Sequence, residues 1–324
     1  MSQLKRQMKR KDTIYHTINF DIDMYDEPQP AAHLVKKPEA ADPSAEVPMY
    51  YISLGSGSSG NCSYVGHAGG GVLIDAGIDP AQVFPTLRRN GVDPRHIAGI
   101  VLTHDHQDHV RYVYRYVREH RHLRIYCTPK LLAGLLRRHN ISRRVRDFHE
   151  PVFKEIPFKL AGMEFTAFET SHDGTDNMGF SIALGSKRFV VGTDMGVITP
   201  RAAHYMSQAH YLMIESNYDR HMLDTGRYPE MLKDRVRGPM GHLDNEVAAQ
   251  FVREQCREGL KHVFLCHLSK DNNTPDKALA AMRAALAARG LTVGDGSNAL
   301  GQRECDIQLC ALPRYEASPW FILE

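Results

Sequence analysis

Short apolar runs rich in β-branched and aromatic residues recur along the chain from about residue 49 onward. A run of this kind, bounded by glycine or polar residues, is typical of a buried β-strand and is too short for a helix. On this pattern, strands are predicted over residues 49–54, 62–65, 71–77, 97–102, 163–171, 180–184, 188–192, 211–214 and 261–266. The chain is therefore predicted to fold around buried β-sheet.

Longer segments of helical character separate these strands. Helices are predicted over residues 80–89, 129–138, 245–258 and 275–289. Strands and helices mixed in this way indicate an α/β (α+β) fold in which two stacked sheets are covered by helices. We predict that this domain spans residues 48–324.

Polar residues stand where several of the predicted strands stop. Asp75 ends the third strand, and later strands are followed by His172, Asp194, Glu215 and His267. A lone histidine in such a position would usually be structural. Together, these residues favour one shared cleft at one edge of the two sheets, because loops leaving rigid strand ends can aim side chains into a cleft.

The densest polar cluster directly follows the apolar run at residues 97–102 and reads Thr103-His104-Asp105-His106-Gln107-Asp108-His109. His104 and His106 are two positions apart, so an extended backbone points both imidazoles the same way. Asp108 and His109 stand where a helix should begin and continue through residue 113. The cluster can present two imidazoles to one metal ion, and a carboxylate and an imidazole to a second. A solvated turn is the alternative, but packing gives no reason to collect so many imidazoles.

Residues 1–47 differ in character from the rest and are predicted to form a flexible extension. Residues 1–11 are strongly basic, residues 13–20 could form a short strand, and residues 28–48 are rich in proline and alanine. The basic tip could add a weak contact to nucleic acid, although a solvated tail is the favoured interpretation.

The composition is that of a globular protein. Apolar residues make up 42% of the 324 positions, and no apolar run is long enough to predict a transmembrane helix. No apolar segment follows the basic N-terminus, so a secretory signal is not expected. The six cysteines form no Cys-x-x-Cys pair, and we interpret them as reduced, mostly buried thiols of a cytoplasmic protein.

Residues 111–146 form a strongly basic segment. It contains eleven lysines and arginines and one acid, Glu119, so its net charge is +10 against +2 for the whole chain. Such a run is usually a solvated helix face. Beside a metal site, however, it would attract a polyanion such as DNA or RNA. Four of its arginines are predicted to contact nucleic acid: Arg137, Arg138, Arg143 and Arg144.

A loop rich in glycine and serine, residues 55–61, separates the first two predicted strands. The backbone N–H groups of such a loop could cradle an anion. More often, a loop of this composition is a permissive turn.

The order of the polar residues resembles the metallo-β-lactamase superfamily, on the motif His104-x-His106-x-Asp108-His109 with Asp75, His172, Asp194 and His267. The resemblance covers roughly residues 49–324 and implies an αββα sandwich with a two-metal hydrolytic site. Carried over residue by residue, it implies that the first metal is held by His104, His106 and His172. The second would be held by Asp108, His109 and His267, and Asp194 would bridge both. Asp75 would orient a metal-ligating histidine, unless it is only a cap or turn residue.

Within this superfamily, the chain looks most like the YycJ/WalJ subgroup of nuclease-like proteins. The stretches that carry this resemblance are residues 53–61, 215–223, 241–245 and 267–273. Two positions depart from the pattern: Tyr218 where histidine is expected, and Asp244 where serine is expected. An aspartate is an acceptable exchange for serine at a helix N-cap. Members of the subgroup are associated with DNA exonuclease activity, so the resemblance implies DNA processing or repair.

Two cations in such a site could activate water and neutralise charge on a phosphoryl oxygen. Asp108 could orient the attacking water or accept its proton. His242 is the candidate to protonate the leaving oxygen, and Glu215 fits a carboxylate that would keep the imidazole charged. This pairing is similar to that of ribonuclease Z. The alternative is that His242 and Glu215 are ordinary cap and turn residues.

The predicted function is therefore that of a metal-dependent phosphodiesterase, most specifically a DNA exonuclease with two zinc or manganese ions and DNA preferred over RNA. A small-molecule hydrolase of the same fold, cleaving a lactone, thioester or cyclic phosphodiester, stays open because the ligands alone do not choose a substrate. A third hypothesis is a metal-containing regulatory protein that catalyses no reaction. The basic segment and the His242–Glu215 pair favour nucleic acid.

Overall fold

A computed structural model describes residues 47–296 and 305–324 of the chain. The first of its two β-sheets consists of β1 (Met49–Gly55), β2 (Cys62–His67), β3 (Gly70–Ile74), β4 (Ile97–Val101), β5 (Arg124–Cys127), β6 (His149–Pro151) and β15 (Phe321–Leu323). These strands lie in the order β15-β1-β2-β3-β4-β5-β6. Strands β3 to β6 are parallel to one another, so their carboxyl ends meet at one edge.

The second sheet consists of β7 (Phe158–Leu160), β8 (Met163–Glu169), β9 (Met178–Leu184), β10 (Lys187–Gly192), β11 (Tyr211–Glu215), β12 (His262–Cys266), β13 (Val293–Gly294) and β14 (Ile307–Ala311). Its order is β13-β14-β12-β11-β10-β9-β8-β7. Strands β10, β11 and β12 are neighbours and parallel, with Gly192 opposite Ile214 and Glu215 opposite Cys266. This register brings the residues that follow three separate strands to the same edge.

The helices are α1 (Pro80–Arg89), α2 (Gln107–Val110), α3 (Val113–Glu119), α4 (Pro129–Arg138), α5 (Pro200–Met206), α6 (Arg220–Thr225), α7 (Glu230–Arg237), α8 (Asn245–Gln255) and α9 (Pro275–Ala287). Four of them, α1, α4, α5 and α9, place proline at the first position after a threonine or aspartate N-cap whose side chain accepts a backbone N–H. Asp244 caps α8 in the same manner, accepting the N–H of Glu246 at 2.7 Å, so the exchange from serine preserves the cap.

The core is built by alternation along the central strands. Tyr211 and Met213 of β11 face the space between the sheets, whereas Leu212 and Ile214 face a second core beneath α5, α8 and α9. Tyr51 of β1 joins the sheets, because its ring lies 4.8 Å from the rings of both Phe189 and Phe264, measured between centroids. Strands buried on both faces explain why their sequences are continuously apolar.

Two layers of sheet with helices outside confirm the predicted α/β (α+β) sandwich. One predicted helix is wrong in its extent, because α2 ends at Val110 and α3 begins only at Val113. Ala76, just after β3, donates its N–H to the carbonyl of His109 at 2.7 Å and accepts the N–H of Tyr112 at 3.0 Å. These backbone groups pair with Ala76 instead of continuing one helix.

The six cysteines are free thiols and four of them are buried, as predicted. Within the described residues, none of the helices has the length and apolar character needed to cross a membrane. The flexible extension and the short strand at residues 13–20 lie outside the described residues. The domain boundary near residue 47 therefore stays a prediction.

Candidate metal centre

The loop that follows β4 is tied to the end of β3 by hydrogen bonds. The N–H of Asp75 donates to the carbonyl oxygen of Val101 at 2.9 Å, and Oδ1 of Asp75 accepts the N–H of Thr103 at 2.8 Å. Oδ2 of Asp75 accepts Nδ1–H of His109 at 2.7 Å. An imidazole held in this way presents Nε2 to a ligand, which is the orienting contact that the sequence predicts for Asp75.

Three imidazoles form what we term the first ligand group. Nitrogen atoms of His104, His106 and His172 all lie within 4.8 Å of one another. His172 Nδ1 donates to the carbonyl oxygen of Gly241 at 2.8 Å, which leaves Nε2 as the ring nitrogen available to a cation. Within the described part of the chain, the buried Nε2 of His104 has no hydrogen-bond partner. A metal ion would satisfy a buried nitrogen of this kind.

The second ligand group consists of Asp108, His109 and His267, whose ligand atoms also lie within 4.8 Å of one another. Asp108 and His109 belong to α2, and His267 directly follows β12. Asp194 lies between the groups, with Oδ2 at 3.4 Å from His109 Nε2 and Oδ1 at 3.8 Å from His172 Nε2. The seven predicted ligands therefore lie close together, and Asp194 approaches both groups.

Burial and charge prepare these side chains for a cation. Burial lowers the pKa of His104 well below its ordinary value, so the ring is neutral, as a ligand must be. Burial alone would raise the pKa of Asp194, but the charges of His267 and His109 outweigh burial and hold that pKa well below its usual value. His109 and His267 also lower the pKa of Asp108 against the effect of burial. Both carboxylates are therefore ionised.

The field at the second ligand group favours positive charge. Burial opposes protonation of His109, but the carboxylates of Asp75, Asp194 and Asp108 outweigh burial and raise the pKa of His109 to about 9. A metal cation would replace this proton and meet the same carboxylates. Metal binding to this group should therefore release a proton and weaken as the pH falls.

Three residues of the site have a left-handed backbone, although none is a glycine. The φ angles are 63° at Asp75, 53° at Asp194 and 54° at His267. Each follows the end of a strand, where the left-handed residue turns the chain sharply out of the sheet. Such a conformation costs about 1–3 kcal/mol and persists where the surroundings determine it, which is common at functional sites. Nothing in the local sequence predicts this feature.

His242 and Glu215 form the pair that the sequence predicts. His242 Nδ1 lies 2.7 Å from Oε1 of Glu215, which is fully buried, while Oε2 of Glu215 accepts the N–H groups of Met195 and Leu243 at 2.7 and 3.2 Å. Burial opposes ionisation of both side chains, but their mutual attraction outweighs burial, lowering the pKa of Glu215 and raising that of His242. The ring of His242 lies 5.0 Å from that of His172.

A third grouping also meets the geometry of a metal site. Ligand atoms of Asp194, Glu215, His242 and His267 lie within 4.8 Å of one another. Oxygens of Glu215 are already engaged by His242 and two backbone N–H groups, so this carboxylate is poorly placed to bind a cation as well. We therefore interpret His242 as a neighbour of the metal centre and not as one of its ligands.

Asp105 is one residue whose role the sequence interpretation missed. It lies within the histidine cluster but points away from it, and it is fully buried. Its carboxylate accepts the N–H and the Oγ1–H of Thr175 at 2.8 and 2.5 Å. A Cβ on Gly134 of α4 would lie 2.4 Å from both Asp105 Oδ2 and Thr175 Oγ1, so only glycine allows this approach. Asp105 therefore fastens the loop that carries His172.

Asp173 is a second residue that the sequence interpretation left without a role. Its Oδ1 lies 3.1 Å from His106 Nε2, and its Oδ2 accepts a hydrogen bond from the Arg235 guanidinium at 2.7 Å. The Asp173–Arg235 pair thus connects α7 to the first ligand group. Its adjacency to His172 was visible in the sequence, but α7 was not among the predicted helices.

The arginines predicted to bind nucleic acid form two pairs. Arg137 and Arg138 end α4 beside the loop that carries His172. Arg137 Nη2 lies 3.4 Å from Thr175 Oγ1, and Arg138 Nη1 lies 3.2 Å from the buried carboxylate of Asp105. Arg138 therefore compensates a buried charge, whatever contact it makes with a substrate.

The other pair, Arg143 and Arg144, lies in the 3₁₀ helix Arg143–Phe148 and is exposed. Arg144 Nε is 3.6 Å from a carboxylate oxygen of Asp147, and the Arg144 side chain is 72% exposed. An exposed ion pair of this kind contributes little to stability. Both guanidinium groups can therefore exchange their present surroundings for a bound anion at low cost.

The family model of the β-lactamase superfamily domain matches residues 71–267, a range that includes both ligand groups. The chain therefore belongs to the metallo-β-lactamase superfamily and is a hydrolase of that fold. Its similarity extends to exodeoxyribonuclease WalJ of Streptococcus pneumoniae serotype 2, which is 30% identical over 251 residues, covering 77% of this chain and 93% of the relative.

Exodeoxyribonuclease YycJ of Bacillus anthracis is 29% identical over 248 residues, covering 76% of this chain and 92% of that protein. These two relatives confirm the resemblance to the YycJ/WalJ subgroup. Among solved structures, the metallo-β-lactamase fold protein YhfI of Bacillus subtilis superposes with a TM-score of 0.59 at 14% identity, covering 84% of this chain and 99% of YhfI. That likeness supports the fold alone.

Proposed function

We propose that the protein is a nuclease with two divalent metal ions, and more specifically a DNA exonuclease that acts in DNA processing or repair. The observation that carries this proposal is the pair of ligand groups joined by Asp194, since one tetrahedral site would use only four ligands. Both relatives described above are named exodeoxyribonucleases. We expect a cytoplasmic protein that prefers DNA to RNA.

Each ligand group would hold one cation, and Asp194 would be shared between them. Imidazole nitrogen and carboxylate oxygen suit zinc or manganese. When bound, the two cations would supply Lewis-acid activation of water and neutralisation of phosphoryl charge. The residues fit this role because His109 and His172 each donate a hydrogen bond from Nδ1 to a protein oxygen, which leaves Nε2 for a cation. The buried Nε2 of His104 has no hydrogen-bond partner among the described residues.

Asp108 would orient the attacking water. Its side chain is partly exposed to the cleft, and Oδ2 lies 3.3 Å from both Asn61 Nδ2 and His267 Nε2. Because its pKa is held below the usual value, Asp108 is a carboxylate that can accept a hydrogen bond from water. The Asp108 carboxylate would also take up the proton of the water as the new bond to phosphorus forms.

His242 would supply a proton to the leaving oxygen. Its imidazole is partly exposed, whereas its partner Glu215 is fully buried and fixed by two backbone N–H groups. The carboxylate holds Nδ1–H, so Nε2–H faces away from Glu215 and can donate to a substrate. Attraction to Glu215 raises the pKa of His242 against burial, which keeps the acid form populated.

The test is an assay of the purified protein on end-labelled DNA and RNA with added manganese or zinc. A lactone and bis-p-nitrophenyl phosphate are assayed in parallel. We expect metal-dependent shortening of DNA from one end, slower cleavage of RNA, and no lactonase activity. Cleavage of the lactone without cleavage of either nucleic acid would instead favour the small-molecule hydrolase, and the absence of any turnover in metal-loaded protein would favour a regulatory protein.

A further inference from the structure

The loop of residues 55–61 is attached to every member of the second ligand group. Asn61 Nδ2 lies 3.3 Å from Asp108 Oδ2 and 2.9 Å from His109 Nε2. At the other end of the loop, Ser56 Oγ accepts the N–H of His267 at 2.9 Å. We term residues 55–61 the serine loop. A molecule that lies on this loop is therefore next to the candidate metal centre.

Arg314 lies against one side of the serine loop. Its Nη1 is 3.3 Å from Ser58 Oγ, and its Nη2 donates to the carbonyl oxygen of Leu268, the residue after a proposed ligand. A Cβ on Gly57 would lie 2.7 Å from Arg314 Nη1, so the bare backbone at Gly57 makes room for the guanidinium. Pro313 is also hydrogen-bonded to the loop, accepting the N–H of Ser56 at 3.0 Å.

A second arginine reaches the serine loop from the helical side. Arg111 follows α2 and is exposed, and its Nη1 lies 3.3 Å from the carbonyl oxygen of Ser59. Among the described residues, no carboxylate lies within the 4.0 Å ion-pair distance of Arg111 or Arg314, whereas nearby Arg115 is paired with Asp79 at 2.5 Å. The exposed tip of the loop is therefore flanked by two guanidinium groups that form no direct ion pair with any carboxylate of the described residues.

An exposed aromatic ring adjoins this pair of arginines. Tyr315 is 66% exposed, which is unusual for so large a side chain, and its ring centroid is 5.9 Å from the guanidinium carbon of Arg314. Exposed tyrosines beside cationic side chains are the platforms on which single-stranded nucleic acids stack their bases. A phosphate between the arginines would place the neighbouring base within reach of Tyr315.

We propose that the serine loop, Arg111, Arg314 and Tyr315 form a subsite for one nucleotide of a single strand. The two guanidinium groups and the Ser58 hydroxyl hold the phosphate, and Tyr315 stacks on the base. The subsite rests on the proposed nuclease function. It places the bound strand on the Asp108 side of the metal centre. Arg137 would serve the strand on the His172 side.

Binding of a fluorescein-labelled single-stranded oligonucleotide to metal-free protein in EDTA tests the subsite without catalysis. Arg111→Gln and Arg314→Gln should each weaken binding about tenfold, the scale of one hydrogen bond to a charged group. Each should also reduce the log–log salt slope by about 0.7, the value for one contact to a single strand. The matched control is Arg283→Gln, an exposed arginine of α9, which should leave affinity and slope unchanged.

Tyr315 has a different expected signature. Tyr315→Ala should weaken binding about tenfold, within the range of one stacked base, with no change in salt slope because no charge is lost. Tyr315→Phe should retain affinity, because the stacking surface survives. In metal-loaded protein, Arg314→Gln should raise KM for the oligonucleotide with little effect on kcat, and the loss on bis-p-nitrophenyl phosphate should be smaller.

Different results would contradict the subsite proposal and the nuclease proposal. If the parent protein cleaves DNA but Arg111→Gln, Arg314→Gln and Tyr315→Ala bind the strand as well as Arg283→Gln does, the subsite is wrong and the nuclease stands. If the parent protein binds the strand through these residues but cleaves neither DNA nor RNA, the nuclease proposal is wrong. Equal losses of metal content and of activity on both substrates in Arg314→Gln and Arg111→Gln would also overturn the subsite, because the arginines would then only support the metal centre.

Discussion

The two sheets contribute to the metal centre in different ways. The first sheet provides four proposed ligands from one short segment, the loop and helix that follow β4. The second sheet provides its residues singly, because His172, Asp194 and His267 follow three separate strands. A compact motif therefore meets a dispersed set of side chains, and Asp194 approaches ligands of both groups.

This difference has structural consequences. In the compact half, local spacing and the hydrogen bonds to Asp75 determine where the side chains point. In the dispersed half, the parallel register of β10, β11 and β12 brings distant residues together, and Asp194 and His267 adopt left-handed backbones with φ of 53° and 54°. Strain of about 1–3 kcal/mol at each residue is offset by the surrounding packing. Substitutions in the two halves should therefore have different effects.

The largest expected effect is on metal content. It should differ between a variant of Asp108, which belongs to one ligand group, and a variant of Asp194, which approaches both groups. The parent protein should carry about two divalent metals per chain. Asp108→Ala should lose the second metal and activity on every substrate, whereas Asp194→Ala should lose both metals. The measurement is metal analysis after loading with zinc or manganese, repeated at falling pH. As the pH falls, the second ligand group should release its metal before the first group does, because a proton returns to His109. A parent protein that never exceeds one metal contradicts the dinuclear centre.

The next effect concerns the acid pair, both members of which come from the dispersed half. His242→Ala should keep its metals and lower kcat on DNA by roughly 10²–10⁴. The loss should shrink for bis-p-nitrophenyl phosphate, whose leaving group needs little protonation. Glu215→Gln should cause a smaller loss of the same kind, and the double variant should lose less than the sum of the two. Full nuclease activity of His242→Ala would assign the leaving-group proton to another residue, and lost metal would make His242 a structural or ligating residue.

The basic surface beside the first ligand group should give a smaller effect. Arg137, Arg143 and Arg144 can be replaced by alanine together, while Arg138 is retained because it compensates the buried Asp105. The triple variant should bind DNA more weakly, with a salt slope lower by about 0.7–0.9 for each lost phosphate contact. Equal losses on DNA and on bis-p-nitrophenyl phosphate would show that these arginines support the fold and do not hold the strand.

The smallest effect tests the contact between the two halves, where the Asp105 carboxylate accepts hydrogen bonds from Thr175. Helix propensity alone predicts that Gly134→Ala stabilises α4 by up to about 1 kcal/mol. The clash with Asp105 and Thr175 predicts the opposite, a destabilisation of about 1–3 kcal/mol and weaker metal binding by the first group. The sign of the change in the free energy of unfolding, measured by denaturant titration, decides between them. A stabilised variant would mean that the two loops can move apart freely.

Particular residues show which features of the fold and site could be predicted from the sequence. The apolar runs predicted the strands of both sheets that carry the site, and the helices predicted from residues 80, 129 and 275 begin where α1, α4 and α9 begin. The histidine cluster and the polar strand ends indicated a shared metal cleft, and the structure brings those residues together. These features are readable because periodicity, capping and short motifs depend on residues close together in the chain.

Other features depended on contacts between residues far apart in the chain. Asp105 has the same surroundings in sequence as the ligands beside it, yet its carboxylate binds Thr175. Ala76 interrupts the helix after Asp108, and Arg138 is engaged by a buried acid. The pairing of Arg314 with the serine loop joins opposite ends of the domain. Sequence spacing records local geometry, but sheet register and loop packing decide which distant groups meet, so only the tertiary structure assigns these partners.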